Sequence, residues 1–267
     1  MSASDGLLVS GATAEVGAIL SVTGLAIAPV ALAVVRRLAP PRKSVFLPRW
    51  GFGQVALVVL FAALLLAGVA FVGLPPAEEG PLADLVVTAL VLGACAALVA
   101  VVAARRDPSG LRSLGLWQGG QLRSAVAGVV GYAMLLPAIL GVGLLWPFLL
   151  ESVGVRYETQ LVLEAMRDLQ PGERPFALLL GCGVMPLLEE LLFRSFLQPL
   201  LVRRLSEVLG VLATSFVFAA LHGTGAFLPI FVLSLLLGTL MLRTQRLLAV
   251  WSVHALHNGI MFLLLYR

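Results

Sequence analysis

Charge is what this 267-residue chain has least of: 12% of its residues are Asp, Glu, Lys or Arg, against roughly 25% in a soluble globular domain. With 60% of the residues hydrophobic, that scarcity excludes a water-soluble fold, because no soluble core could absorb so much apolar sequence. Cysteine is nearly absent. Cys95 and Cys182 have no CxxC partner, which leaves them as small apolar side chains inside hydrophobic runs. There is no Walker loop, no dinucleotide fingerprint and no HExxH, so neither a phosphate cradle nor a compact zinc-protease motif is present. No internal repeat is visible, where a transporter often carries one.

What is present is a series of long apolar runs separated by charged patches. Runs of about 20 residues read as transmembrane helices. A lipid-embedded backbone must satisfy its own hydrogen bonds, which leaves helices or a closed barrel. Barrel strands alternate apolar and polar residues. The run VALVVLFAALLLAGVAFVGL shows no alternation, so the predicted fold is all-α, a polytopic transmembrane bundle of about eight spans. The spans are predicted at 16–35, 54–74, 85–104, 124–150, 176 to about 196, a sixth starting between 208 and 212 and ending near His222, 226–242, and 247 to near Tyr266. The first has no basic leader region and no convincing cleavage site, so it reads as a retained span. The fourth contains Pro137 and Pro147 and is expected to kink or tilt.

Basic residues sort by connection. Arg36, Arg37, Arg42, Lys43 and Arg49 follow the first span; Arg105, Arg106, Arg112 and Arg123 follow the third; Arg194, Arg203 and Arg204 follow the fifth; Arg243 and Arg246 follow the seventh. Of the 18 basic residues only Arg156, Arg167, Arg174 and Arg267 fall elsewhere. The alternate connections carry Glu78, Glu79 and Asp84, then Glu151, Glu158, Glu164, Asp168 and Glu173. This is a positive-inside pattern. It predicts an integral membrane protein with both termini outside; the membrane expected is a prokaryotic cytoplasmic one. It also explains the basic excess without nucleic acid, whose recognition would need those residues on one folded face.

Against this background the segment MPLLEELLFR, from Met185 to Arg194, is out of place. A charged side chain at bilayer depth costs about 2.5–3.5 kcal/mol, and adjacent carboxylates oppose each other's ionisation. Such a pair belongs in the bundle interior or a water-filled cavity. Glu190 and Arg194 are four apart and share a helix face. Glu189 is rotated by about 100° from Glu190 and is left outside that pair. All three histidines follow: His222, His254 and His257. His254 and Asn258 share a face, His257 borders it, and Phe218 stands one turn before His222. One polar centre built from three helices is expected. It admits three chemistries: water activation by Glu and His with His and Asn donating to an oxyanion; a divalent metal, zinc by ligand type, on Glu189, His222 and His254; or a proton relay in a transporter.

Three motifs narrow this. EELLFR (Glu189 to Arg194) has the form EExxxR, FAALH (Phe218 to His222) the form FxxxH, and HALHN (His254 to Asn258) the form HxxxN. In this order and separation they resemble the CAAX prenyl endopeptidase and bacteriocin-processing group, also called CPBP or Abi, which includes type II CAAX proteases. The resemblance covers Leu114 to Tyr266. It divides the chain into a membrane region of about three spans, 1–113, and a protease-like domain, 114–267. It implies an intramembrane endopeptidase in which Glu189 is the catalytic glutamate, His222 helps it activate water, and His254 and Asn258 stabilise the oxyanion. Glu190, Arg194 and Phe218 match supporting positions, while His257 is outside the pattern and reads as packing behind the site. The family has been described both as metalloproteases and as glutamate-dependent proteases without a metal. The second is favoured here, with no cofactor, because Glu, His and Asn supply base and oxyanion donors unaided. The expected partners are the bilayer and a peptide or protein substrate at its cytoplasmic side. A non-catalytic scaffold or a transporter on the same fold is the rival reading.

Overall fold

The computed structural model describes residues 11–39, 46–72, 80–117, 119–157 and 169–265. The charges counted at Arg42, Lys43, Glu78, Glu79, Glu158, Glu164, Arg167, Asp168 and Arg267, and the span end at Tyr266, lie outside them. Every regular element among the described residues is helical. They are α1 (Gly11–Leu38), α2 (Phe52–Val72), α3 (Pro81–Arg106), a short 3-10 turn at Gly110–Leu114, and α4 (Gln121–Ser152). Then come α5 (Arg174–Arg204), α6 (Glu207–Ala220), α7 (Phe227–Thr244) and α8 (Leu247–Leu265).

Seven of these helices are long and apolar enough to cross a membrane. The sixth is not: α6 has 14 residues, about 21 Å at the usual helical rise, against a hydrocarbon thickness of about 30 Å. The expected sixth span is therefore present as a helix but is shorter than a full crossing, and His222 lies in the turn after it. Gly223 ends it, with φ at 83° in the left-handed region that glycine enters freely. At the other end Ser206 caps it, accepting the Leu209 N–H at 3.2 Å. α4 keeps both Pro137 and Pro147 inside one 32-residue helix, about 48 Å long, so it must lean to stay within the bilayer.

Small residues set the closest helix contact. A Cβ on Gly24 of α1 would overlap Ala138 of α4, and one on Gly141 of α4 would overlap the Ser21 backbone. Without side chains there, the two backbones touch, which is how helices pack strongly in lipid. Val35 of α1 and Tyr132 and Ile139 of α4 then close a core with Leu233 and Leu237 of α7 and Val250 and Val253 of α8. A second cluster joins Trp50, Val58 of α2, Cys95 and Val99 of α3, and Phe196 of α5. α5 thus lies among α3, α6, α7 and α8. Large apolar side chains such as Ile19, Leu64, Phe71, Leu90 and Leu263 face outward, as a lipid boundary requires.

The four basic connections meet at one end of the bundle. Arg123 Nε donates to the Leu38 carbonyl at 2.6 Å, the Phe46 N–H to Gln245 Oε1 at 3.3 Å, Arg203 Nη2 to the Trp50 carbonyl at 2.7 Å, and the Leu247 N–H to the Gly115 carbonyl at 3.2 Å. Elsewhere, Trp146 near the far end of α4 donates to the Thr224 carbonyl between α6 and α7 at 2.8 Å. The connections that carry basic residues are therefore neighbours in space, but Arg194, counted with the third of them, is not at that end: it lies inside α5, paired with Glu190 and without exposed surface.

Candidate active site

Proline shapes the helix that carries the two glutamates. Pro186 has no N–H, and its ring crowds the carbonyl four residues back, that of Cys182. Over Leu179–Val184 the helix widens into a π turn. Pro199 stands in the same relation to Ser195, and Leu191–Leu197 is π-helical as well. Glu189 and Glu190 occupy the α-helical turn between, Met185–Glu190. Widened turns release backbone carbonyls from the ordinary helical pattern, which is one reason they mark functional sites. Two of these carbonyls are taken by α8: Asn258 Nδ2 donates to Gly181 O at 2.9 Å and Trp251 Nε1 to Gly183 O at 2.8 Å. The face of α8 that bears His254 is thereby fixed against the glutamates.

The two glutamates have different surroundings. Glu190 is fully buried. Its Oε2 is 3.2 Å from Arg194 Nε, the expected pair one turn apart, and its Oε1 is 2.8 Å from His254 Nδ1. A paired carboxylate accepts, so His254 Nδ1 carries the proton. Glu189 is 17% exposed, and its Oε2 is 3.7 Å from His254 Nε2, too far for a hydrogen bond. Arg194, also without exposed surface, lies over the Phe218 ring at 4.7 Å. The other side of the chemistry is in the same place: the Phe218 ring centroid is 4.5 Å from that of His222 and 5.8 Å from that of His254.

His222 is half-buried and its Nδ1 lies 2.7 Å from the Phe218 carbonyl. A carbonyl only accepts, so this nitrogen donates, and Nε2 remains as the ring's acceptor. The site therefore brings together Glu189, Glu190, Arg194, Phe218, His222 and His254 from α5, α6 and its following turn, and α8. Asn258 borders it, with one amide hydrogen committed to Gly181. His257 turns the other way, its Nδ1 3.1 Å from the Tyr132 hydroxyl on α4.

Glu189, His222 and His254 are of donor types that zinc accepts, but they are not gathered into a ligand set. Among the described residues no group of three or more His, Cys, Asp or Glu side chains is arranged to hold one. The Nδ1 atoms of His254 and His222 are both engaged, which leaves Nε2 as the free nitrogen of each ring, the arrangement that metal-ligating histidines also show.

Nothing in the sequence singles out Ser234. It is fully buried on α7 and its hydroxyl accepts from Arg194 Nη2 at 2.9 Å. Its signal was faint: a lone serine within FVLSLLLG. The π turns are likewise invisible to a periodicity of 3.6 residues, although Pro186 and Pro199 mark both.

Residues 171–260 match the model of the type II CAAX prenyl endopeptidase Rce1-like family. The match spans all three motifs and is the family that the motifs resemble, one of endopeptidases. With its seven long apolar helices the chain is an integral membrane protein. No curated protein and no solved structure matches it.

Proposed function

We propose that this protein is an intramembrane endopeptidase of the glutamate-dependent kind, working without a metal on a peptide or protein at the cytoplasmic side of a prokaryotic membrane. The observation that carries the reading is the pair Glu189 and His254: a partly exposed carboxylate 3.7 Å from a histidine nitrogen, with the other nitrogen of that ring held by a buried carboxylate.

In this mechanism a water sits between Glu189 and His222. Glu189 takes its proton as the oxygen attacks the scissile carbonyl, and the acceptor nitrogen of His222 shares the load. General-base work of this type requires hydrogen-bond reach, directly or through one water. The tetrahedral oxyanion then needs donors. His254 can donate from Nε2 only as the imidazolium, since Nδ1 already carries a proton for Glu190. The Glu190 carboxylate stabilises that cation. The second amide hydrogen of Asn258 adds a neutral donor. Collapse of the intermediate breaks the C–N bond, and the proton held by Glu189 passes to the leaving amine.

Orientation rests on the basic end of the bundle, which positive-inside sorting assigns to the cytoplasm. His254 is seven residues into α8, about 10 Å from the start of that helix at the basic end, so the centre is nearest to that side. Purified protein in lipid nanodiscs, incubated with an internally quenched peptide library, is the direct test. Cleavage by wild type and none by a folded Glu189→Ala variant supports the assignment. Equal cleavage by the two would remove Glu189 from the chemistry. A library left intact by the wild type, with no protein trapped by Glu189→Gln in native membranes, would favour a scaffold or transporter.

A further inference from the structure

Arg194 poses a problem that Glu190 alone does not solve. Its guanidinium has no exposure, yet Nε and Nη1 make no hydrogen bond. Its approach to Glu190 at 3.2 Å is an ion pair, not a well-aligned hydrogen bond, and the Phe218 ring beneath it at 4.7 Å gives attraction with little directional preference. Among the described residues one side chain accepts a hydrogen bond from Arg194: Ser234 Oγ, at 2.9 Å from Nη2. Ser234 is buried on an α7 face shared with Ile230, Leu233 and Leu237, so no polar neighbour on that face offers a substitute.

We propose that Ser234 is a positioning residue for the catalytic centre, acting on His254 through Arg194 and Glu190. The chain of contacts runs from α7 to α5 to α8: Ser234 Oγ to Arg194 Nη2 at 2.9 Å, Arg194 Nε to Glu190 Oε2 at 3.2 Å, Glu190 Oε1 to His254 Nδ1 at 2.8 Å, and His254 Nε2 to Glu189 Oε2 at 3.7 Å. The Ser234 bond fixes the rotation of the guanidinium plane. That rotation decides which edge addresses Glu190, and so which way the Glu190 oxygens point. The second oxygen then fixes the proton of His254 on Nδ1. An imidazole left to itself in water favours the other tautomer, so the site has to impose this one. Loss of the Ser234 hydroxyl leaves the guanidinium charged and buried but free to turn. The effect belongs to the chemical step and not to substrate binding, because Ser234 lies behind the site on a helix that faces the core. The catalytic part of this role rests on the endopeptidase reading; the hold on His254 does not.

The test uses full-length protein in nanodiscs with [15N]histidine, the His254 signals being assigned with His222→Gln and His257→Gln variants. In wild type, Nδ1 of His254 stays protonated at high pH, where the ring is neutral. In Ser234→Ala the ring becomes a mixture of tautomers, kcat on a peptide cleaved by wild type falls about tenfold, and KM stays within twofold. Ser234→Thr, which keeps the hydroxyl, restores both readouts. Retention of the Nδ1 proton and of kcat in Ser234→Ala overturns the proposal. Should that variant fail to fold, Ser234→Cys decides it: the thiol fills the space but accepts weakly, so wild-type tautomer and kcat there overturn the proposal, and a mixed tautomer with lowered kcat supports it. The nitrogen readout needs no substrate. A protein without peptidase activity but with a Ser234-dependent tautomer would therefore sink the endopeptidase reading while upholding the hold on His254.

Discussion

Glu189 and Glu190 are neighbours in the chain with opposite employment: Glu190 has no exposed surface and a partner on each oxygen, whereas Glu189 is 17% exposed and meets His254 only at 3.7 Å. A carboxylate tied down at both ends holds other groups in place. One with an open side is available to water. Their substitutions should separate into chemistry and fold.

Glu189→Gln is expected to lower turnover by roughly a hundred- to ten-thousand-fold, the usual contribution of a general base, and to change stability by less than about 1 kcal/mol. Peptide-cleavage rates and denaturant unfolding in the same nanodiscs would check this. A variant retaining a tenth of wild-type turnover would deny Glu189 the role of base.

Glu190→Gln strands the Arg194 charge in a site without exposure. Breaking one partner of a buried pair costs about 3–5 kcal/mol, and that loss should appear as destabilisation before any effect on catalysis is considered. Combining it with Arg194→Met should recover part of the loss, since the stranded charge is then gone. Strict additivity of the two variants in a double-mutant cycle would mean that the ion pair contributes nothing.

Much of this centre is readable in the sequence, and what is not readable has a physical reason. Glu190 and Arg194 pair because four residues make one helical turn, and spacing alone says so. The apolar runs mark the helices because lipid penalises everything else. The meeting of His222, His254 and Glu189 is a tertiary fact that motifs suggest only through family resemblance. The π turns escape a reading based on 3.6 residues per turn, although Pro186 and Pro199 both announce a break in the ladder. Ser234 escapes because a single hydroxyl on an apolar helix normally bonds back to its own backbone, as Thr214 does to Gly210 O at 2.8 Å. The short length of the sixth helix is itself legible, since the apolar run between Glu207 and His222 holds too few residues for a full crossing.

Chelation should leave activity intact, and metal analysis of pure protein should give well under one zinc per chain. What supports this expectation is that, among the described residues, no group of three or more His, Cys, Asp or Glu side chains is arranged to hold a metal. One equivalent of zinc, with activity lost on its removal and regained on its return, would reassign Glu189, His222 and His254 as ligands.

Topology can be read by single cysteines at Gly172, Gly119 and Glu207, all exposed, in a background lacking Cys95 and Cys182. A membrane-impermeant thiol reagent added to intact cells should label Gly172→Cys alone, and the other two only after the membrane is opened. The reverse pattern would turn the bundle over and put the catalytic centre nearer the outer face.

The backbone contact between α1 and α4 has a consequence for biogenesis. α1 is made before α4, and its seam partners Ala138 and Gly141 are translated only after two more helices have been made. Until then α1 must reside in the bilayer with that seam open. It can do so cheaply, because the close approach is made by small residues, Gly17, Ser21 and Gly24, and the Ser21 hydroxyl is already satisfied by the Gly17 carbonyl at 2.8 Å. Insertion and assembly are thereby separate events for this helix. The arrival of α4 closes the seam and sets Tyr132 in place before α8 exists, so the partner of His257 is waiting when the last helix is made.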